Sequence, residues 1–420
     1  MEKETSRRGF LGTSGIALAA ARLSAFQQKP TEGRLFAYVG RHTTGGFSGP
    51  PGKGGGVNVF RVNMTDGSLT ETSKTGAELD DLNSDGMCTS ADGRFLYTIN
   101  VTPSLGGKAG AGGGVVAFAI NHADGSLQHL NTQPSMGANP TAVMIDKTNS
   151  RVVVANHGAV NKIVLLKKAN GVPYIENPTD DGTVALYPVK ADGSLEPACD
   201  VSVFEQRPLS DTSGPGAACH SVIFDRTKRW IIASDNGYDH IYVYPFDPAS
   251  RKLEGKSFQT PAGKAPRHFA VHPRAPYFFM TNEREASVSS FNFDSNSGDV
   301  RPIQTIATVP EGYSGPRVAP SDIRIHPNAK FVYSANRGDD SVAVFGIDDG
   351  TGRLTRVEVV KTGGKGPREM NIEPSGKFLF VCNLQSNDVV TFALDGNTGK
   401  MTQVAQLSVP QAAVIDFVTL

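Results

Sequence analysis

The chain has 420 residues, of which 39% are hydrophobic and 20% charged, and its 41 basic and 41 acidic side chains leave a formal net charge of zero. That balance excludes the electrostatic footprint of a nucleic-acid-binding protein or of a basic membrane-facing surface. Past residue 30, no apolar run approaches the ~20 residues that span a bilayer.

The N-terminus stands apart. Ser6-Arg7-Arg8-Gly9-Phe10-Leu11 precedes a mildly apolar stretch at 12–21 and small residues around Ala25. This resembles a twin-arginine export signal. Residues 1–30 are expected to be signal and linker, with the mature protein exported to the periplasm.

Beyond it one unit recurs. An apolar run closed by glycine or a small polar residue stands at 35–40 (LFAYVG), 95–100 (FLYTIN), 152–156 (VVVAN), 230–235 (WIIASD), 277–282 (YFFMTN), 331–336 (FVYSAN) and 378–383 (FLFVCN). A second alternating strand follows most runs. An Asp-Gly-Ser-Leu turn (66–69, 124–127, 192–195) or a degenerate form of it then leads into a last strand. Six runs also have a strand before them. The missing one, ahead of Leu35, is supplied by 412–418 at the other end of the chain. With 46 glycines and 26 prolines to make turns, the units predict an all-β fold. It is a seven-bladed β-propeller over residues 31–420, with the ring closed by the C-terminal strand joining the first blade. A pair of β-sandwiches or an open solenoid leaves the complementary end fragments without a reason.

Long connections at 41–56, 101–113 and 157–182 mark the first three units. The first two are glycine-rich but lack the strand–helix context and Lys-Ser/Thr ending of a nucleotide loop. They are expected to form flexible lips over one mouth of the ring.

Aligning the units by their runs creates two columns. Ten residues before each run stand Asp85, His220, Arg267, Ser321 and Arg368, at the head of the innermost strand. Six residues past the run's start stand Arg41, Asn236, Glu283, Arg337 and Leu384. One column opens a strand and the other closes its antiparallel neighbour, so both belong to one rim. Since the scaffold accepts Ser, Asn or Leu there, a gathering of His220, Arg267, Glu283 and Arg337, with Arg368 and Arg41 beside them, needs a functional reason. Several guanidinium groups suit an anionic ligand. His272 and His326, in His-Pro pairs at the far end of the inner strand, are assigned to turns, and His42 to the glycine-rich loop near the mouth. No metal-ligand spacing, cofactor motif or nucleophile elbow is present. Cys199 and Cys219 could pair in an oxidising compartment, although spacing alone does not settle it.

At these residues the chain resembles the seven-bladed propeller lactonases, which include the bacterial propeller-type 6-phosphogluconolactonase and the fungal 3-carboxy-cis,cis-muconate lactonizing enzyme. The resemblance spans about residues 33–420. It is carried by Cys219-His220-Ser221, the Pro-Arg-His and His-Pro within Ala265–Pro273, Thr281-Asn282-Glu283, Ala335-Asn336-Arg337 and Gly366-Pro367-Arg368. The one His, two Arg and one Glu proposed for the muconate enzyme correspond by motif to His220, Arg267, Arg337 and Glu283, which also stand in the two columns. The resemblance implies hydrolysis of an anionic sugar lactone, with His220 or Glu283 as general base and Arg267 and Arg337 holding the anion. Arg368 and Arg41 would be further substrate contacts. The implied partner is a small anionic lactone or sugar acid, with no cofactor, no metal, no nucleic acid and no membrane span, in a monomer or weak dimer. A carboxymuconate cycloisomerase and a non-catalytic exported ligand-binding propeller are the alternatives. The export signal and the glycine-rich loops depart from the family pattern.

Overall fold

The computed structural model describes residues 33–42, 56–102, 104–108, 111–158, 165–169, 172–176, 182–204 and 216–420. The expected signal at 1–30 and most of the 41–56 lip lie outside them. Residues 34–420 form one unit.

Each apolar run is rich in aromatic and β-branched residues and becomes a strand buried along all or nearly all of its length, fully so at Tyr277–Asn282 and Phe378–Asn383. Both faces are covered because each sheet is sandwiched between two others, so the run reads as continuous rather than alternating. The outermost strand of the same blade, Met401–Ser408, is mostly exposed or half-buried and reads polar. Seven four-stranded antiparallel sheets result, in the order typified by Pro266–Val271, Tyr277–Asn282, Ser287–Asp294 and Asp299–Ala307 from the inside outwards. The inner strands touch in succession from Met87–Thr89 through Pro140–Ile145, Cys219–Phe224, Pro266–Val271, Ala319–Ile325 and Pro367–Ile372 to Ala412–Thr419, which returns to Met87–Thr89. Ala412–Thr419 is the inner strand of the first blade, pairing antiparallel with Leu35–Arg41 from Leu35↔Thr419 to Arg41↔Ala412. The ring is therefore closed across the chain ends, as the fragment count requires.

The hydrophobic core lies between blades. Phe331 and Tyr333 of the sixth blade, for example, pack with Met370, Leu379 and Val381 of the seventh. Six of the seven seams share a further lock, in which the glycine of one blade's Asp-Gly-type turn sits on the ring that begins the preceding blade's buried run. A Cβ added to Gly67, Gly125, Gly193, Gly298, Gly352 or Gly399 would lie 2.9, 2.5, 2.2, 2.5, 2.7 or 2.4 Å from Phe378, Phe36, Phe95, Trp230, Tyr277 or Phe331 respectively. All six glycines also have φ between 70° and 87°. The position therefore demands glycine twice, for backbone and for space. The seam between the third and fourth blades is the exception. There the run begins with Arg151, whose Nε donates to the Ser250 carbonyl at 3.4 Å, and the facing turn has no glycine.

His272 and His326 hold turns. Each Nδ1 accepts a turn amide, from Ala275 at 2.7 Å and Asn328 at 3.1 Å, while Nε2 reaches a carbonyl of the next blade, Ala329 at 3.2 Å and Gly376 at 2.9 Å. The third blade's long connection contains a hairpin, Leu165–Ala169 with Val172–Glu176, where the sequence suggested only a loop. All four cysteines are free. The Cys199–Cys219 bridge does not form because Cys219 opens the inner strand of the fourth blade, whereas Cys199 precedes Asp200–Val203, the outermost strand of the third.

The seam lock gives a direct expectation. Gly125→Ala should lower unfolding free energy by about 2–4 kcal/mol, combining overpacking with left-handed backbone strain. Gly263→Ala shares the strain, with φ +80°, but has nothing within 4 Å, and should cost about 1 kcal/mol. Equal losses in urea denaturation would remove the seam as the cause.

Candidate active site

The heads of the inner strands carry an extra residue. Pairing with the neighbouring strand shifts register between Pro140 and Ala142, Cys219 and Ser221, Pro266 and Phe269, Pro320 and Asp322, and Pro367 and Met370, and opposite Gly40 and Arg41 in the first blade. In the second blade the Ile99 and Val101 amides bond Gly86 and Asn83, so three steps on the inner strand face two on its partner. A bulge of this kind bends the strand and re-aims the side chains in it. Thr141, His220, Arg267 and Arg368 sit in these bulges, and they share one cavity of about 310 Å³ with Asp85, Glu283 and Arg337. The structure thus brings together His220, Arg267, Glu283, Arg337 and Arg368.

Glu283 organises the cationic side. Its carboxylate accepts from Asn236 Nδ2 at 2.9 Å, bonds Arg337 and lies 3.7 Å from Arg267 Nε as an ion pair without a hydrogen bond. Burial pushes this carboxyl upward, but Arg267 and Arg337 outweigh burial and hold it at about 2. Burial, with Arg337 adding to it, lowers the Arg267 guanidinium, which remains a cation at neutral pH. Arg267 is only 1% exposed, yet its Nε and Nη1 have no hydrogen-bond partner among the described residues. Arg368 is occupied instead. Its Nε donates to Asp85 Oδ1 at 2.8 Å and its Nη2 bonds the other oxygen, which fixes it on the opposite wall. His220 is kept far below the ordinary histidine value by burial and then by Arg267 and the neighbouring imidazoles, and is neutral at pH 7. Five arginines face two carboxylates here, because Arg284 and Arg317 add two exposed guanidinium groups at the rim. The cavity therefore carries an excess of positive charge. Among the described residues, no three His, Cys, Asp or Glu side chains gather to hold a metal.

Arg41 does not join this group. Its Nε donates to the Pro410 carbonyl at 2.7 Å and Nη1 to Asn58 at 3.3 Å, on the side of the outer strands. The cause is a slip of one residue. By the ring that packs on its neighbour's turn, the first run begins at Phe36 rather than Leu35, and a single step in a strand turns a side chain to the other face. Arg41 thus takes the place of the Asn or Asp that ends every other run, and His42 takes the mouth position, with Nε2 3.3 Å from Asp85 Oδ1. The same slip hides His157. The third run begins at Arg151, which puts Thr141 and His157 into the two columns, and both line the cavity. Arg284 and Arg317 stand outside the columns, and only the folded chain shows them.

The site is thus a cationic pocket at the heads of the inner strands of a closed propeller, with a neutral imidazole in its wall. The chain belongs to the seven-bladed β-propeller lactonase family: the profile described as "Lactonase, 7-bladed beta-propeller" matches residues 36–417. A 6-phosphogluconolactonase of Bacillus subtilis is 29% identical over 336 residues, covering 80% of this chain and 84% of that one. One of Formosa agariphila is 26% identical over 322 residues, covering 75% and 81%. The periplasmic gluconolactonase of Pseudomonas aeruginosa superposes with a TM-score of 0.77 at 25% identity, over 92% of this chain and 99% of that one.

Because the folded value of Glu283 lies below the ordinary ~4.3, its ion pairs stabilise the protein above that pH and are lost as pH falls towards 2. The stability difference between wild type and Glu283→Gln, from urea unfolding, should shrink by about 1–2 kcal/mol from pH 6 to pH 3. A difference independent of pH would mean that the arginines do not hold this carboxylate.

Proposed function

We propose that the chain hydrolyses a small sugar lactone bearing a negative charge, in the cavity at the heads of the inner strands. Arg267 carries this reading. A guanidinium almost wholly removed from water, with two nitrogens unpartnered, is costly unless a ligand oxygen accepts from it. The neutral His220 beside it supplies a lone pair. The names of the relatives, 6-phosphogluconolactonase and periplasmic gluconolactonase, support a lactone as the ligand.

In this reading water attacks the lactone carbonyl carbon while His220 takes its proton. Arg267 donates to the carbonyl oxygen as negative charge develops there. The acyl C–O bond then breaks, and the proton passes from His220 to the ring oxygen, giving the open hydroxy acid. Arg337 holds the substrate's anionic group, with Arg284 and Arg317 extending the same field towards solvent. Glu283 is too weak a base at about 2 to take a proton from water. Its part is to hold Arg337 and Arg267 in place. Arg368, paired with both Asp85 oxygens, shapes the wall and contributes charge.

The chain is proposed to act outside the cytoplasm, on the strength of Arg7-Arg8 and the mild apolar stretch behind them. Fractionation of cells producing the full chain should find it in the periplasm, and an Arg7→Lys/Arg8→Lys variant should stay in the cytoplasm. Cytoplasmic retention of both would end the export proposal.

Kinetics test the chemistry. His220→Gln should lower kcat ~10²–10⁴-fold, and Arg337→Met should act mainly by raising KM, about tenfold or more. With His220 neutral well into the acid range, kcat/KM should stay flat from pH 8 to pH 6. Turnover no faster than spontaneous opening of both phosphorylated and unphosphorylated sugar lactones would sink the reading.

A further inference from the structure

Next to His220 lies a second imidazole that this chemistry leaves unused. His268 follows Arg267 in the bulge of the fifth blade, and its Nδ1 is 2.9 Å from Asp322 Oδ1 of the sixth. Asp322 is fully buried. Its other oxygen accepts the Met370 amide at 2.9 Å and faces Arg324 Nη2 at 3.1 Å. A carboxylate pinned on that side can only accept from the imidazole, so Nδ1 carries the proton and Nε2 keeps a lone pair. That Nε2 is buried without a partner among the described residues. The His220 and His268 ring centroids are 5.4 Å apart, and His220 Nδ1 is also buried without a partner.

Two orphaned nitrogens on adjacent buried rings are costly, and the cost disappears if a small ring rotation lets one donate to the other. The other groups acting on His220 narrow the choice. Arg267 and Arg368 can only donate, which leaves His157, whose ring centroid is 5.8 Å away, as the competing acceptor. Around His268 itself stand Arg267, Asp322 and Arg324, and Arg324 in turn reaches Glu369.

We propose that Asp322 and His268 are positioning residues for His220. His268 Nε2 accepts the His220 Nδ1 proton directly once a small ring rotation brings the two nitrogens within hydrogen-bond reach, and so leaves His220 Nε2 as the basic nitrogen. The carboxylate fixes one imidazole, and that imidazole fixes the tautomer of the next. The kinetic consequence rests on the lactone-hydrolysis reading, whereas the tautomer does not.

The test uses the full chain with ¹⁵N-labelled histidine. Ring NMR should show His220 protonated on Nδ1 and not on Nε2 at pH 7. His268→Phe and Asp322→Asn should lose that single tautomer, and kcat should fall ~10²-fold with KM within about twofold. His268→Gln, whose amide oxygen can accept the same proton, should keep the tautomer and regain at least tenfold of the lost rate. Should His268→Phe fail to fold, Asp322→Asn and His268→Gln carry the comparison. A wild-type His220 protonated on Nε2 overturns the proposal, and so does a His268→Phe variant with unchanged tautomer and kcat, the second outcome making His157 the acceptor. If the wild type opens no lactone, the function fails while the tautomer measurement still decides the relay.

Discussion

The extra residue at the head of every inner strand is the constraint on which the site depends. A regular strand would send successive side chains to alternate faces and bury half of them between blades. The bulge breaks that alternation where seven strands converge, so His220, Arg267 and Arg368 leave the blade interface and enter one cavity. Because the bulges lie in the rigid innermost strands, their side chains are held by packed sheets rather than by loops.

Gathering cations in this way works against stability, and the structure shows how the cost is contained. Each wall has one carboxylate. Asp85 engages Arg368 with both oxygens, whereas Glu283 is shared between Arg337, Asn236 and a more distant Arg267. The unequal division leaves Arg267 with two buried nitrogens that have no partner among the described residues. Burial keeps His220 neutral, and the same crowding adds to it, since protonating it would place a further positive charge in a buried cluster. One electrostatic arrangement thus sets both the protonation state of His220 and the unpartnered nitrogens of Arg267.

Much of this was legible in the sequence because the fold is a repeat. Seven runs, the Asp-Gly turns and the complementary end fragments define the ring, and a column read across copies isolates departures such as Arg267 and Glu283. The same method failed wherever a run's start was misjudged by one residue. Leu35 in place of Phe36 selected Arg41 over His42, and Val152 in place of Arg151 hid His157, because periodicity of two gives no warning of a slip of one. Arg151 is itself the cause of the second error: it replaces the aromatic that opens the other runs. Contacts between blades left no sequence signal at all. Nothing in the spacing of His268 and Asp322 says that the fifth and sixth blades set them 2.9 Å apart.

The seal between the first and last segments has a temporal meaning. Arg41 bonds a carbonyl 369 residues further along the chain, so the edge of Leu35–Arg41 has no native partner while everything between is being synthesised. Until Ala412–Thr419 arrives, the opening sheet presents bare amides and carbonyls to any passing strand, and a loop of this length is slow to shut. The growing chain thus keeps one adhesive border until its partner strand, Ala412–Thr419, has been made.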